Sequence, residues 1–274
     1  AKRREKSKLK EEALGDQTEI GKVYGEVAIN SAVLTNAEAI ARANANVIRN
    51  IPPYNALATK PENVYTLESI IRSEEWDWQP DIDELIAAGR TSHASHAFQQ
   101  KSDYPQFIRN RIYKLRPLSG EQLYRLAHTF SYINHLLNFK RMPVIAIKRL
   151  LKARTTLEND EDDKGTSHLM ESSRIPGVTL AKFLKLFSDS KEDVPREKKD
   201  LLNSYILVLT LIADDFETDP LDIANDLKMT VNDLVSHYQE LGCKSEKLKG
   251  IFKITLPVPL TFPTLQPKRM RKRT

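Results

Sequence analysis

Apolar residues are spaced for helices along most of this chain, and only near its end do they alternate as in a strand. Between Lys199 and Ala213 almost every position is apolar (Leu201, Leu202, Tyr205 to Leu209, Leu211 and Ile212 among them), which predicts a helix buried on nearly all sides. Asp219-Pro220 opens a short second helix carrying Leu221, Ile223, Ala224 and Leu227. Asp is a good N-cap, and Pro is tolerated at the first helical position because that N–H has no intrahelical partner. A third helix begins at Thr230, which stands at capping-box spacing from Asp233. Val231, Leu234, Val235, Tyr238 and Leu241 form its apolar face, and Gly242 sits where a glycine stops a helix. From Lys247 a turn and strand follow, with Phe252, Ile254 and Leu256 alternating against Lys253 and Thr255. A long helix, two short helices joined by a tight turn, and a basic strand describe a winged helix over residues 194–262.

The same helix order occurs upstream, over residues 117–193. Ser119 and Gln122 have capping-box spacing, and Leu123, Leu126, Ala127, Phe130, Ile133, Leu136 and Leu137 mark an amphipathic helix of about five turns. Pro143 opens a second helix with Val144, Ile147, Leu150 and Leu151 on its apolar side. Val178 to Phe187 supplies a third through Leu180, Phe183, Leu184 and Phe187. The repetition predicts two winged helices in tandem. The copy is irregular: Thr155–Ile175, with its acidic run Glu158 to Asp163, is too long for a tight turn and is expected to form an exposed, mobile insertion. No wing is recognisable after Phe187.

Ahead of the repeat, residues 61–116 read as an irregular connector with helical pieces at Asp83–Ala88 and Tyr104–Leu115, the latter bearing Arg109, Arg111 and Lys114. Trp76 and Trp78, the two tryptophans of the chain, are expected to anchor a core or an interface. Residues 1–60 read as a linker, solvated over its first twenty residues, with a weak amphipathic helix after Thr35 through Ala39, Ile40, Ala43, Val47 and Ile48. Ile51-Pro52-Pro53-Tyr54 ends it. Residues 263–274 form a basic tail. The expected fold class is therefore mainly α: a tandem winged helix with short β wings, preceded by an extended, partly helical linker.

Composition changes this picture in two respects. The chain has 274 residues, 40% of them apolar, enough for one or two small domains. It opens on Ala rather than Met and is read as a fragment lacking its front part. No secretory signal is visible, the longest apolar run is too short to cross a bilayer, and no membrane is expected among its partners. A single cysteine, Cys243, excludes an internal disulfide framework. The net charge of +5 is unevenly distributed. Residues 1–10 hold six Lys or Arg and one Glu, and residues 268–273 hold five Lys or Arg and no acid. The body between these ends is therefore acidic on balance. Basic ends favour nucleic acid through counterion release, and serve equally as localisation signals.

No catalytic constellation stands out. The chain lacks a glycine-rich phosphate loop, a cysteine cluster and a nucleophile elbow, and the pair His93 and His96 has no companions at metal-ligand spacing. Neither a cofactor nor a metal is expected. Basic side chains do cluster: Lys148, Arg149, Lys152 and Arg154 on the second helix of the first unit, Lys182 and Lys185 on the side of its third helix taken as exposed, and Lys244, Lys247, Lys249 and Lys253 around the wing of the second unit. With Lys268, Arg269, Arg271, Lys272 and Arg273 of the tail, these are the candidate DNA-contacting residues. The third helix of the second unit exposes Asn232, Asp233, Ser236, His237, Gln239 and Glu240, with no Lys or Arg. Asp219, Asp222 and Asp226 lie just before it. Arginine reading of guanine is therefore not available from that helix, and contacts with little sequence preference are expected. A winged-helix module for protein assembly, without direct DNA binding, is the competing reading.

Taken in order, the Tyr65–Ile71 segment, the two winged helices, the Leu256–Pro263 run (Leu-Pro-Val-Pro-Leu-Thr-Phe-Pro) and the terminal Lys/Arg tail resemble the C-terminal portion of the forty-nine-kilodalton RNA polymerase I subunit family. The resemblance covers nearly all of residues 21–274. It implies a non-catalytic nuclear and nucleolar subunit whose tandem winged helix, similar to that of transcription factor IIE, binds DNA near the polymerase cleft and supports initiation and elongation. It further implies other polymerase I subunits as partners, including a smaller heterodimer partner bound through a region absent here. The acidic insertion at 158–163 and the cation-free third helix depart from the family pattern.

Overall fold

A computed structural model describes residues 49–77, 79–156, 164–188, 195–248 and 250–263. The expected linker helix after Thr35, Trp78, the acidic run 158–163 and the basic tail lie outside the described residues. Between 61 and 115 the chain forms a 3-10 turn at Pro61–Asn63, then α1 (Leu67–Ile70), α2 (Ser73–Trp76), α3 (Ile82–Arg90), α4 (Ser92–Gln99), α5 (Gln106–Arg111) and a 3-10 turn at Ile112–Leu115. The next unit holds α6 (Gly120–Arg141), α7 (Val144–Thr156), α8 (Lys164–Ser172) and α9 (Gly177–Phe187). The last holds α10 (Arg196–Ala213), β1 (Glu217–Thr218), α11 (Leu221–Leu227), α12 (Val231–Glu240), β2 (Lys244–Leu248) and β3 (Ile251–Thr255).

Two helices organise the core. In α6 every residue from Ala127 to Leu137 is buried, and in α10 every residue from Leu202 to Leu211. Burial on consecutive positions means that each is covered all round rather than along one stripe. They pack along each other, and α9 lies against α10 through Phe187 and Tyr205, whose rings meet edge-on at 5.2 Å. For α10 this follows from an almost wholly apolar sequence. For α6 it does not, because His128, Thr129, Ser131, Asn134 and His135 are buried as well. The connector supplies partners along this side: Gln79 meets His128 Nδ1 at 3.1 Å, Asp81 accepts from Ser131, and Glu75 accepts from Tyr132 Oη at 2.9 Å, while Thr129 donates to the Arg125 carbonyl of its own helix. Buried polar groups need such partners, so the polar side of α6 is the seat of the connector.

The last unit places β3 between β1 and β2 in an antiparallel sheet, with Glu217 opposite Thr255 and Lys244 through Leu248 opposite Thr255 through Ile251. Its local signals act largely as read. Thr230 Oγ1 accepts the Asp233 N–H at 3.1 Å and donates to Asp233 Oδ2 at 2.7 Å; the short Asp carboxylate takes the hydroxyl instead of reaching back to the backbone. Asp219 does not itself cap α11, since Pro220 holds that position, but its carboxylate accepts the Leu221 N–H at 2.9 Å. Gly242 has φ +89°, and a Cβ there would sit 2.6 Å from Leu260, so glycine is required twice over.

The first unit departs further from expectation. The Ser119 side chain makes no capping bond, because Gly120 enters the helix at φ +54°. The insertion contains a helix of its own, α8, whose Leu169 packs against the core. No strand occurs among the described residues of this unit.

Candidate nucleic-acid interface

Helix α7 is built for display. The Pro143 carbonyl accepts the N–H groups of Ala146 and Ile147, starting the helix without a side-chain cap. Ala146, Ile147 and Leu150 are buried against the body, and Leu151 is half-buried. This face turns Ile145, Lys148, Arg149 and Lys152 outward, all exposed and at the i, i+3, i+4, i+7 spacing of one helical stripe. The helix contains no acid from Val144 to Thr156. Like charges four residues apart, as at Lys148 and Lys152, cost a helix roughly 0.2–0.5 kcal/mol, so the stripe does not arise from helix stability. Arg154 lies on the same helix, its side chain outside the described residues.

The other candidates separate. On α9, Lys185 is exposed, but Lys182 is turned inward, which corrects its expected exposed placement. Its ammonium pairs with the Glu75 carboxylate, donates to the Ile70 carbonyl and meets Tyr132 Oη at 2.9 Å. The cause is Glu75, only 2% exposed, which is oriented by the Arg72 N–H and would otherwise lack a counter-charge. Burial lowers the Lys182 pKa, opposed by the hydrogen bond and charge of Glu75. On the β2–β3 hairpin Lys244, Lys247 and Lys253 are exposed. Lys253 pairs with Glu217 at 2.6 Å and stands opposite Glu246, and Lys247 lies 4.9 Å over the Phe252 ring. The solvent side of the sheet is thus nearly balanced in charge. Lys249, Lys268, Arg269, Arg271, Lys272 and Arg273 lie outside the described residues.

The acids before α12 do not line a groove. Asp226 accepts the N–H groups of Gln106 and Phe107, each at 2.8 Å, and so caps α5 from 119 residues away. Asp222 accepts from Asn110 at 3.0 Å and from Arg111 Nη1 at 2.7 Å, while Arg111 Nε lies 2.7 Å from Asp214 Oδ2. Lys114 joins Asp214 at 2.6 Å. Burial alone would lower the Arg111 pKa; the facing charges of Asp214 and Asp222 raise it instead. Burial also holds the Asp226 carboxyl above its ordinary value. These groups join connector to last unit, and nothing local in sequence links positions a hundred residues apart. The exposed face of α12 remains as read: Asn232, Asp233, Ser236, Gln239 and Glu240, with His237 half-buried.

One polar cluster could be mistaken for a catalytic one. Asp81 lies 3.9 Å from His135 Nε2, but Ser131 donates to Asp81 rather than to the imidazole, and Ser131 and His135 are almost wholly buried. A nucleophile needs its base in reach, and Ser131 is committed to the carboxylate instead. His93 and His96 are both exposed on α4, and no group of ligating side chains suited to a metal ion occurs among the described residues. None of their helices is long and apolar enough to cross a membrane.

The family model described as A49-like RNA polymerase I associated factor matches residues 1–263. The DNA-directed RNA polymerase I subunit rpa49 of Schizosaccharomyces pombe is 29% identical over 287 residues, covering 97% of this chain and 61% of its own length. The DNA-directed RNA polymerase I subunit RPA49 of Mus musculus is 21% identical over 199 residues, covering 73% of this chain and 38% of its own length. The chain therefore spans less than two thirds of either relative. With almost its whole length matched, the chain belongs to the A49-like RNA polymerase I associated factor family.

Proposed function

We propose that this chain acts within a non-catalytic RNA polymerase I subunit of the nucleus and nucleolus, and that it holds DNA near the polymerase cleft with little sequence preference. The observation that carries the reading is the α7 stripe: three exposed cations on one helical face of a helix without acids. Phosphate neutralisation by such a stripe releases counterions and depends little on base sequence. The order α10–β1–α11–α12–β2–β3, with β3 central, supports a winged helix in the last unit. The helices α6, α7 and α9 support a strand-poor counterpart in the first, with α8 inserted. Neither α12 nor α9 presents a cationic face suited to base reading, so DNA is held by α7 and supported by the hairpin lysines. Other polymerase I subunits, including a smaller heterodimer partner, are its protein partners, and its contribution is to initiation and elongation.

The test is a salt-dependent titration of the full chain with several unrelated duplexes. Charge reversal at Lys148, Arg149 and Lys152 should weaken all of them about equally and flatten the log–log salt slope by roughly 3, about one for each phosphate no longer neutralised. An unchanged titration would remove α7 from the interface. The amide-rich, acid-bearing face of α12 favours a second reading, a protein-assembly module, which predicts negligible DNA affinity for the wild-type chain at moderate salt.

A further inference from the structure

A cleft of about 690 Å³ opens between the end of α2, the start of α3 and the first turns of α6. Trp76 and Tyr124 give it aromatic surface, and Asp77, Asp83 and Glu121 give it carboxylates. Tyr124 is 51% exposed. Arg125, the cation among the lining residues, is taken up by Glu68 and by Glu121 at 3.9 Å. The side chains of Asp77 and Asp83 have no such partner among the described residues. Asp83 sits in the first turn of α3, where the helix dipole favours an acid; Asp77, at the carboxyl end of α2, gains nothing of that kind. The most buried of the lining residues is His128, 6% exposed, whose ring lies 4.3 Å from that of Trp76. Gln79 fixes its tautomer. The Gln79 amide nitrogen donates to the Glu75 carbonyl at 3.5 Å, so its oxygen accepts from His128 Nδ1 at 3.1 Å. Nε2, on the other side of the ring, keeps its lone pair and has no hydrogen-bond partner among the described residues. Burial lowers the His128 pKa against the opposing charges of Asp81 and Asp77, so the ring is neutral at neutral pH.

We propose that this cleft receives an arginine side chain from a partner protein, its guanidinium lying against the Trp76 and Tyr124 rings and donating to His128 Nε2 and to the carboxylates of Asp77 and Asp83. Every uncommitted group in the cleft either accepts a hydrogen bond or attracts positive charge, and aromatic faces do the same through their quadrupole. Phosphate would be repelled, so the cleft is not a second DNA contact. Arginine suits it better than lysine. The planar guanidinium stacks on rings, is weakly hydrated and offers donors in several directions at once, whereas an ammonium is a strongly hydrated point charge. The chain belongs to a family of polymerase-associated factors, so neighbouring protein chains are the natural source of that side chain. The assignment holds whether or not α7 contacts DNA.

The experiment titrates the full chain, isotope-labelled at tryptophan, with the peptide acetyl-Gly-Arg-Gly-amide and follows the Trp76 indole resonance by NMR. The resonance should move saturably at about millimolar peptide, the range expected of a single anchored side chain. The same peptide with citrulline in place of arginine keeps the shape and loses the charge, and it should produce no saturable shift. The lysine peptide should bind more weakly than the arginine peptide. The double variant Asp77→Asn/Asp83→Asn should weaken arginine-peptide binding roughly tenfold, as expected for the loss of two exposed ion pairs. Circular dichroism establishes that the variant is folded; if it is not, Asp77→Asn and Tyr124→Ala are measured singly, each expected to cost roughly threefold. Absence of a saturable shift in the wild type overturns the site, as does a citrulline peptide that binds equally well or a variant that binds like wild type. A lysine peptide bound as tightly as the arginine one overturns the guanidinium assignment. Removing residues 264–274 should leave the resonance in place; a shift on removal, with tighter peptide binding, would give the cleft to this chain's own tail and overturn the partner as its source.

Discussion

Helix α7 and the contact between α5 and α11 use the same residue types in opposite ways. On α7, Lys148, Arg149 and Lys152 share an exposed stripe without a carboxylate on the helix. At the α5–α11 contact, Arg111 has a side chain 10% exposed and faces Asp214 and Asp222, with Lys114 alongside. One set faces solvent, and the other is consumed in holding connector to last unit. Lys182 and Lys185, three residues apart on α9, repeat the contrast within a single helix. Basic composition therefore says little about binding until the acids are placed. The chain has 42 basic and 37 acidic residues, so the surroundings of each cation, rather than their number, decide what it can contact.

The comparison can be broken most forcefully at Arg111. Replacing it with Met leaves Asp214 and Asp222 short of a counter-charge in a dry site, and stability measured by urea denaturation should fall by about 3–5 kcal/mol. The folded fraction should still bind DNA with the wild-type salt slope. A loss below about 1 kcal/mol would mean that the pair is solvated and the contrast is empty.

Lys182→Met comes next. Tyr132 and the Arg72 N–H still reach Glu75, so the expected cost is near the lower end, about 3 kcal/mol. DNA affinity should be unchanged, whereas Lys185→Met should leave stability unchanged. If Lys182→Met alters the salt slope instead, Lys182 belongs to the interface after all. Neutralising Lys148, Arg149 and Lys152 with Gln should shift stability by no more than about 0.5 kcal/mol while reducing DNA affinity. A large destabilisation there would show α7 to be structural.

The smallest effect concerns pH. Burial lowers the pKa of both His128 and His135 below the ordinary histidine value, against the opposing charge of Asp81. The unfolded chain then takes up protons before the folded one does. Stability from these two histidines is complete above about pH 6.5 and is lost as pH falls toward their folded values. Denaturation midpoints should decline on acidification from about pH 7 to about pH 5.5, and the decline should shrink in His135→Gln. A flat profile would place these rings in a wetter setting than the structure gives them.

The last unit is legible in sequence because local rules decide it. Apolar spacing, Thr230, Gly242 and the alternation after Ile251 place α10, α12 and β3 within a few residues. Strand β2 escapes because Lys244–Leu248 is mostly polar and exposed, and only its partner makes it a strand. In the first unit, helices with an apolar stripe are legible, but the burial of His128, Ser131 and His135 is not. Their partners lie about fifty residues upstream in a segment without periodicity. Of the candidate residues, the exposure of Lys148, Arg149 and Lys152 is legible because it follows from Ile147 and Leu150 on the opposite face. The inward turn of Lys182 is not, because helix periodicity cannot register a buried carboxylate a hundred residues away.

The Leu256–Pro263 run ends where residues 49–54 begin. Phe262 meets the Tyr54 ring at 5.2 Å and the Arg49 guanidinium at 4.0 Å, beside the Leu260 that closes over Gly242. The described body thus has residues 49 and 262 together at one corner. It could be grafted into a surface loop of a host protein with little distortion of either, as modules with adjacent termini allow.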